Sequence, residues 1–341
     1  MIDQEVPEPG RNELLLRVLR VGICGTDRDI VAGFYGEAPP SSSFLVLGHE
    51  SICRVASGSP IAPGLKKGDL VVPTVRRGCQ DRCLNCRAGE SDMCLTGHYK
   101  EHGIKQLHGF ARELAVSDAG FVVRLPEGLA EVGVLLEPLT VVEKGLLQAT
   151  RIQSSRMKWK PESALVLGAG PVGILATALL RLSGLTVHTV ATRSSRSLKA
   201  RLVERTGATY INAKEAPLEG MAGRYDMVFE LTGSASVALE AQNLTKVNGV
   251  VSYLGIYRDQ IASEDAGSVF TNLVLGNRVF LGSVNANKSY FVKGARDMSA
   301  MKTRWPGLLE SMVTRVWDPE RCAEAYSHGD EEEIKSVVRF A

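Results

Sequence analysis

Four cysteines lie within a stretch of sixteen residues, at Cys79, Cys83, Cys86 and Cys94. Four thiolates in one short loop can hold a tetrahedral zinc ion with no position left for a substrate, which is the pattern of a structural site. The alternative is disulfide pairing, which the long chain, the odd count of seven cysteines and the lack of a secretory segment disfavour. The sequence therefore predicts a structural zinc lobe over residues 78–95.

A second candidate metal site combines a thiol, an imidazole and carboxylates. Cys24 and Thr26 stand in a Cys-Gly-Thr-Asp motif, His49 is followed directly by Glu50, and Glu137 is a further carboxylate before a proline. These side chains are zinc ligands, and a zinc held by fewer than four fixed ligands keeps a place for water or substrate. Taken alone, Cys24 and His49 are also consistent with two buried core residues.

A glycine-rich turn stands between a predicted strand and a predicted helix. Its residues are Gly168, Ala169, Gly170, Pro171, Val172 and Gly173. The first glycine allows the tight turn, the second lets a pyrophosphate approach the backbone, and the third lets helix and strand pack closely. Proline is tolerated at the first helical position, and the free N–H groups of the helix then face the phosphates. The turn predicts a dinucleotide site; the alternative is a turn without a ligand.

The end of the next predicted strand selects between two dinucleotides. An acidic residue there would bind the ribose 2′-hydroxyl of NAD, and none occurs at 187–196. The chain offers Thr192, Arg193 and Arg196 instead, and arginine binds a 2′-phosphate through two hydrogen bonds. NADP is therefore the predicted cofactor, with NAD possible; the alternative is a solvated basic turn.

The first part of the chain has the pattern of a β-rich domain with long loops. Alternation and short apolar runs between Gly and Pro residues predict strands. These runs cover residues 14–20, 44–47, 52–55, 70–72 and 121–125. Helical spacing over 139–152 then precedes a linker at 159–161.

From residue 164 onwards, buried strands alternate with helices, which predicts an α/β doubly wound parallel sheet. The predicted strands cover 164–167, 185–191, 225–230, 250–254 and 279–281, and the predicted helices cover 171–182 and 198–206. In the tail, residues 305–313 are predicted helical and residues 335–340 form a final strand.

Composition excludes several classes of protein. The chain of 341 residues is 44% hydrophobic and 23% charged, which is ordinary for a soluble globular protein. A net charge of +2 gives no reason to expect nucleic acid or an anionic membrane as a partner. The acidic, proline-containing start does not resemble a signal peptide, so a reducing cytoplasmic setting is expected.

The order of these motifs resembles that of the zinc-dependent medium-chain dehydrogenase/reductase family. The Cys24 and His49 motifs, the four-cysteine loop, Glu137 and the glycine loop carry the resemblance over nearly the whole chain. It implies a discontinuous GroES-like catalytic domain around a Rossmann domain. The implied bounds are 1–148 and 283–341 for the catalytic domain and 149–282 for the Rossmann domain.

Within that family the chain is most similar to the archaeal-type glucose 1-dehydrogenase branch. The stretch 282–287, the segment from Glu137 to Lys144 and the final Ile334-Lys335 pair carry this similarity. The resemblance implies two zinc ions per chain, with Glu50 and Glu137 sharing or exchanging one position at the catalytic zinc. The resemblance assigns residues to four roles. The catalytic zinc is surrounded by Cys24, His49, Glu50 and Glu137, and the catalytic residues are Thr26, His49 and Glu50. The substrate is bound by Thr26, Glu101 and Asn285, and the cofactor by Thr232, Ser283 and Asn285.

Three features depart from this branch. Positions that are polar in a sugar site are filled here by Val75, Val141 and Leu275, which favours a smaller or less polar substrate. Three residues, not two, separate Cys79 from Cys83. Relatives normally carry about twenty more residues before the Cys24 motif, so either the start is misassigned or a strand edge is left open.

The sequence thus predicts an NAD(P)-dependent zinc dehydrogenase that oxidises a sugar or polyol hydroxyl by hydride transfer. The same chemistry on a cyclitol, amino alcohol or secondary alcohol is one alternative. A non-catalytic NADP(H)-binding protein is another, which the full set of candidate zinc ligands disfavours. The expected partners are a small-molecule substrate and further copies of the chain, as a homodimer or homotetramer.

Overall fold

The computed structural model describes residues 4–58, 64–257, 266–327 and 329–341. The chain divides into two compact units. The first comprises Met1–Thr140, Asn285–Ser299 and Leu309–Ala341, and the second comprises Val141–Val284 and Ala300–Leu308.

The described strands and the described helices are each numbered in chain order. The strands are β1 Glu13–Ile23, β2 Glu50–Gly58, β3 Leu70–Pro73, β4 Arg76–Arg77, β5 Lys100–His102, β6 Gln106–Leu107, β7 Leu114–Asp118, β8 Val122–Arg124, β9 Ser163–Leu167, β10 Thr186–Ala191, β11 Thr209–Asn212, β12 Tyr225–Glu230, β13 Thr245–Tyr253, β14 Val279–Gly282, β15 Val313–Trp317 and β16 Lys335–Arg339. The helices are α1 Gly25–Val31, α2 Leu84–Arg87, α3 Leu136–Arg156, α4 Pro171–Leu182, α5 Leu198–Arg205, α6 Ala235–Ala241, α7 Ala266–Leu275, α8 Lys288–Arg304, α9 Leu308–Met312 and α10 Cys322–Ser327.

The first unit is built on a sheet with strand order β15-β16-β1-β2-β3-β8, with β7 also paired to β1. Within β1, Leu14, Leu16 and Val18 are buried while Arg17 is exposed, as expected for a strand with one face on the core. These residues pack with Cys53 and Phe110 in one apolar cluster. A smaller sheet has the order β4-β5-β6.

The second unit contains a six-stranded sheet of order β11-β10-β9-β12-β13-β14, and its described pairs are parallel. Strand β9 is buried along Ala164–Leu167 and lies between β10 and β12, as a central strand of a covered parallel sheet should. The predicted α/β class with a parallel sheet is confirmed.

Two predicted elements differ from the structure. The strand predicted at 44–47 is wrong: Val46 and Leu47 accept hydrogen bonds from Gly109 and Ala111, which lie in a loop, so no regular ladder extends there. In the tail, the helix predicted at 305–313 is shorter, because the chain turns at Gly307, forms α9, and continues directly into β15.

The units also divide the chain at slightly different residues from the predicted domains. Residues 141–148, 283–284 and 300–308 belong to the second unit, whereas the sequence places them in the catalytic domain. The 300–308 segment contacts the second unit through Arg205, which donates a hydrogen bond to the carbonyl of Pro306.

A membrane-spanning helix is not found in the described parts of the chain.

Candidate metal centres and cofactor site

Cys24 is placed at the junction where β1 ends and α1 begins. Its Sγ accepts a hydrogen bond from the Thr26 amide at 3.2 Å, and its own amide donates to Asp27 Oδ2 at 3.0 Å. Together these bonds form a capping box, which satisfies free N–H groups at the start of a helix. The thiol is therefore held by the backbone in a fixed direction.

His49 lies between the thiol and a buried carboxylate. Its Nε2 is 3.1 Å from Cys24 Sγ, and its Nδ1 is 3.3 Å from Asp27 Oδ1. Asp27 is fully buried, and its Oδ1 accepts a hydrogen bond from the Gly48 amide at 3.3 Å. A carboxylate on the second ring nitrogen fixes the imidazole of a metal-binding histidine and raises its basicity. Asp27 is thus an orienting residue for His49.

The electrostatics of this group follow from burial and charge. Burial alone would lower the pKa of His49, but the adjacent Cys24 and Asp27 outweigh it and raise the pKa well above its usual value. Burial would likewise raise the pKa of Asp27, but His49 and the Cys24 amide lower it. The metal-free centre therefore favours a protonated imidazole, and this proton must leave when a metal binds.

Two carboxylates complete the group. Glu50 Oε2 is 2.6 Å from Nζ of Lys335, which is buried on β16 and also donates to the carbonyl of Ile23 at 3.1 Å. Glu137 lies in the first turn of α3. Burial, together with the nearby Glu50, raises the pKa of Glu137 to about 7, although His49 acts in the opposite direction.

These residues fit a catalytic zinc. The ligand atoms of Cys24, Asp27 and His49 lie within 4.8 Å of one another, as do those of His49, Glu50 and Glu137. His49 belongs to both groups, and its Nδ1 faces Asp27, so Nε2 is the nitrogen that faces Cys24. One sulfur, one nitrogen and carboxylate oxygens form a donor set that zinc accepts.

The four-cysteine loop fits a structural zinc, since the sulfur atoms of Cys79, Cys83, Cys86 and Cys94 lie within 4.8 Å of one another. Burial would raise the pKa of Cys94, but hydrogen bonds from Thr96 outweigh it and lower that pKa to about 6. Arg82, which directly precedes Cys83, has a φ of +49° and so lies in the left-handed region.

We expect Cys86→Ser to lower the zinc content from about two ions to about one per chain, since a structural site needs its four ligands. The melting temperature should fall with it, because metal binding contributes to folding. Cys322→Ser, which alters a cysteine outside both metal groups, is the matched control. Elemental analysis and thermal unfolding would check this; a Cys86→Ser protein with unchanged zinc content would contradict the structural role.

The two predicted sugar-binding residues are brought together. Asn285 Nδ2 donates to Glu101 Oε1 at 2.9 Å, and both side chains are buried. Gly103, two residues after Glu101, lies against the backbone of Gly48, where a Cβ would approach the Gly48 carbonyl oxygen to 2.7 Å. This contact brings the segment of Glu101 next to the residue that precedes His49.

The glycine loop of the second unit has the geometry that its sequence predicts. Gly168 has φ +105°, which favours glycine, and a Cβ on Gly173 would lie 2.0 Å from the Gly168 carbonyl oxygen. A Cβ on Gly170 would meet no atom within 4 Å, so the backbone is open there, and Pro171 begins α4 with Val172 behind it. This open helix start fits a dinucleotide pyrophosphate.

The other predicted cofactor residues lie in the same unit, Asn285 excepted. Thr192 and Arg196 are exposed after β10, and Arg193 is half-buried there, with its carbonyl accepting from Tyr210 Oη at 2.7 Å. Thr232 donates from its amide to the buried carboxylate of Glu230 at 2.7 Å. Ser283 follows β14, and its amide donates to the Tyr253 carbonyl at 3.1 Å.

The three apolar positions that depart from the sugar branch differ in exposure. Val75 is 1% exposed in the first unit, whereas Leu275 is 74% exposed at the end of α7. Val141 is half-buried within α3.

Two family models cover this chain almost completely. "Alcohol dehydrogenase GroES-like domain" matches residues 10–127, and "Glucose dehydrogenase C-terminus" matches residues 130–340. The chain belongs to the glucose dehydrogenase family. The predicted resemblance to zinc-dependent medium-chain dehydrogenases, and to their glucose 1-dehydrogenase branch, is thereby confirmed.

Individual glucose dehydrogenases match over their length. A glucose 1-dehydrogenase of Methanocella arvoryzae is 43% identical, with 100% of this chain and 95% of the relative covered. Glucose 1-dehydrogenase 1 of Caldivirga maquilingensis is 44% identical, with 99% and 94% covered. A solved structure of Haloferax mediterranei glucose dehydrogenase in complex with NADP, Zn and gluconolactone superimposes with a TM-score of 0.91 at 33% identity, with 100% and 95% covered.

Sequence reasoning missed two residues of this glucose dehydrogenase centre. Asp27 stands in the Cys-Gly-Thr-Asp motif itself. Its position three residues after Cys24, which caps the helix, could have indicated that it belongs to the capping box. Lys335 gave a weaker signal: it is a cation at the start of β16, and only the fold shows that it meets Glu50.

Proposed function

We propose that this chain is a zinc-dependent dehydrogenase that oxidises a sugar hydroxyl, with glucose as the leading substrate and NADP as the hydride acceptor. The observation that carries the proposal is the group of Cys24, His49, Glu50 and Glu137, held in place by Asp27 and Lys335. It occurs in a chain that matches a glucose dehydrogenase complexed with NADP, Zn and gluconolactone over its full length.

When bound, the catalytic zinc supplies Lewis acidity that lowers the pKa of a substrate hydroxyl, and NADP supplies the hydride acceptor. Cys24 and His49 would hold the metal, and Glu50 and Glu137 would share or exchange the remaining carboxylate position. Thr26, two residues from Cys24, moves the hydroxyl proton outward. Glu101 and Asn285 bind sugar hydroxyls and so orient the reacting carbon, because alignment of reactants supplies a large part of the rate.

We assign cofactor binding to the second unit. The open backbone at Gly170 receives the pyrophosphate, and Arg193 and Arg196 bind the 2′-phosphate, which favours NADP over NAD because no carboxylate follows β10. Thr232 and Ser283 contact the cofactor from the ends of β12 and β14, the two strands that flank β13 in the parallel sheet. The first unit, with both metal groups, is then the catalytic domain.

A second candidate function is the same chemistry on a less polar alcohol. The specific observation is that apolar residues stand at Val75, Val141 and Leu275, where a sugar site is expected to be polar. A cyclitol, an amino alcohol or a simple secondary alcohol would then replace glucose, with an unchanged catalytic centre.

A substrate panel on the zinc-loaded protein separates these functions. Glucose, galactose, xylose, inositol-type cyclitols and secondary alcohols would each be offered with NADP and with NAD, and formation of the reduced cofactor would be followed. Turnover of an aldose with NADP is expected. If no aldose were oxidised but another alcohol were, the proposed substrate would be wrong and the mechanism would stand. If no compound of the panel were oxidised, the proposal of a catalytic function would be contradicted.

We further propose that the protein forms a homodimer or homotetramer. Phe270, Val274 and Leu275 on α7 are each more than 60% exposed, and β14 lies at one edge of the parallel sheet. Exposed apolar side chains and the edge strand of a sheet are each surfaces that a second copy can cover. Light scattering should give a mass of two or four chains, and Phe270→Asp should lower it; a monomer at all concentrations would contradict the proposal.

A cytoplasmic setting is also proposed. None of the seven cysteines, all of which lie within the described residues, forms a disulfide, which suits a reducing compartment. The net charge of +2 predicts no nucleic acid or membrane partner.

A further inference from the structure

A buried arginine lies behind the two proposed sugar-binding residues. Arg76 pairs with Glu101 across β4 and β5, and its Nε donates to Glu101 Oε1 at 2.9 Å. The same oxygen accepts from Asn285 Nδ2 at 2.9 Å. Arg76, Glu101 and Asn285 are 6%, 7% and 8% exposed, so the bonds are made in a largely water-excluded site.

The other end of this arginine is tied to the four-cysteine loop. Arg76 Nη1 donates to the carbonyl of Asp92 at 3.2 Å, and the guanidinium lies over the Tyr99 ring at 3.7 Å. Asp92 belongs to a 3-10 turn between the third and fourth cysteines. The guanidinium of Arg76 thus joins the four-cysteine loop to Glu101, because one of its N–H groups donates to each of these two segments.

A second link joins the same turn to the segment of Asn285. Asp92 Oδ1 accepts from Asn287 Nδ2 at 3.0 Å. Asn287 directly precedes α8, and its Oδ1 accepts from the Ser289 amide at 3.0 Å, as a helix cap does. Asn285 itself has φ +57°, in the left-handed region that asparagine adopts more readily than most residues with a side chain.

We propose that Arg76 is the positioning residue of the sugar site, and that through Arg76 and Asp92 the four-cysteine loop sets the affinity for the sugar. The inference rests on the proposed function, since it takes Glu101 and Asn285 as sugar-binding residues. A carboxylate that binds hydroxyl groups needs one fixed orientation, and a planar guanidinium with two separate acceptors provides it. Lysine can replace it only in part, because a single ammonium lacks that forked geometry.

The expected signature is a change in substrate affinity with little change in turnover. Arg76→Met should raise the KM for glucose by about ten-fold to a hundred-fold, as the loss of charge-assisted hydrogen bonds predicts. The kcat should change less, because the residue does not touch the reacting atoms. Arg76→Lys should recover only part of the affinity, and the KM for NADP should stay unchanged.

Arg77 offers a matched control on the same short strand. Its Nη1 donates to the Thr74 carbonyl and its Nη2 to Ser117 Oγ, both at 2.9 Å, and its guanidinium lies over the Phe121 ring. Arg77→Met therefore removes a stacked, hydrogen-bonded arginine without touching Glu101. It should lower thermal stability and leave the KM for glucose near that of the wild type.

Two further variants distinguish positioning from a general loss of structure. The double variant Arg76→Met with Glu101→Gln should have nearly the same KM for glucose as Glu101→Gln alone. If the two residues acted independently, their effects on the KM would multiply. Asn287→Asp keeps the helix cap but removes the donor to Asp92 and places two carboxylates together. It should also raise the KM for glucose, and calorimetric titration of glucose in the absence of turnover should show the same loss of affinity.

The outcomes separate this inference from the proposed function. A wild-type protein that oxidises no aldose overturns both. If the wild type oxidises glucose but the Arg76→Met and Arg77→Met variants have the same KM for glucose, the inference is overturned and the proposed function stands. If Arg76→Met fails to fold, an Asn287→Asp protein with the wild-type glucose KM and affinity overturns it as well.

Discussion

We expect Cys24→Ala to lower kcat by about a thousand-fold or more, because the Lewis acid that activates the substrate hydroxyl loses its thiolate ligand. The zinc content should fall from about two to about one per chain, since the four-cysteine loop keeps its own ion. NADP should still bind, because its proposed contacts begin at Gly168 in the second unit. Steady-state kinetics, elemental analysis and a cofactor-binding titration measure the three effects.

Cys24 also caps α1, so the effect of the metal ligand must be separated from that of the cap. Alanine at a cap position costs about 0.5–2 kcal/mol, whereas serine preserves an acceptor for the Thr26 amide. Cys24→Ser should therefore be nearly as inactive as Cys24→Ala but more stable. Cys53→Ala, at a buried cysteine outside both metal groups, should keep its zinc and its turnover. A zinc-depleted Cys24→Ala protein that still turns over would refute the metal mechanism.

Lys335→Met should lower the free energy of unfolding by about 3–5 kcal/mol, the usual cost of leaving one member of a buried ion pair without its partner. Lys335 and Glu50 are 1% and 2% exposed, and their charged atoms are 2.6 Å apart. The carboxylate of Glu50 would remain in a site that excludes water. Denaturant unfolding of the zinc-free protein measures the loss.

The double variant Lys335→Met with Glu50→Gln is the control, because it removes both charges. Replacing a whole buried pair is often nearly neutral, so much of the lost stability should return. The zinc-loaded Lys335→Met protein should lose less than the zinc-free one, since the metal supplies a second positive charge near Glu50. A loss of only about 1 kcal/mol, as for a surface pair, would show that this pair does not hold Glu50 in place.

Local patterns allowed the second unit to be predicted closely. Helix α4 begins and ends where the glycine loop and the apolar run place it, and β12 has its predicted bounds. These elements are governed by local requirements, namely a positive φ at Gly168, close approach at Gly173 and a proline at the first helical position.

The first unit was harder to predict because its elements depend on distant partners. The apolar run 44–47 has the composition of a strand, but it pairs with a loop around Gly109. The candidate ligands of both metal groups could be named from spacing and resemblance, whereas the residues that contact those candidates could not. Lys335 lies 285 positions from Glu50, and Arg76 lies 25 from Glu101, so only folding brings each pair together.

The central claim is that this chain moves a hydride from a sugar carbon to NADP at a zinc centre. The most direct test is to incubate the zinc-loaded protein with NADP and glucose deuterated at C1, and to measure deuterium in the cofactor by mass spectrometry. Reduced cofactor that carries one deuterium, formed by the wild type and not by Cys24→Ser, is the predicted result. Reduced cofactor without deuterium, or no reduction by a protein that holds both zinc ions, would contradict the claim.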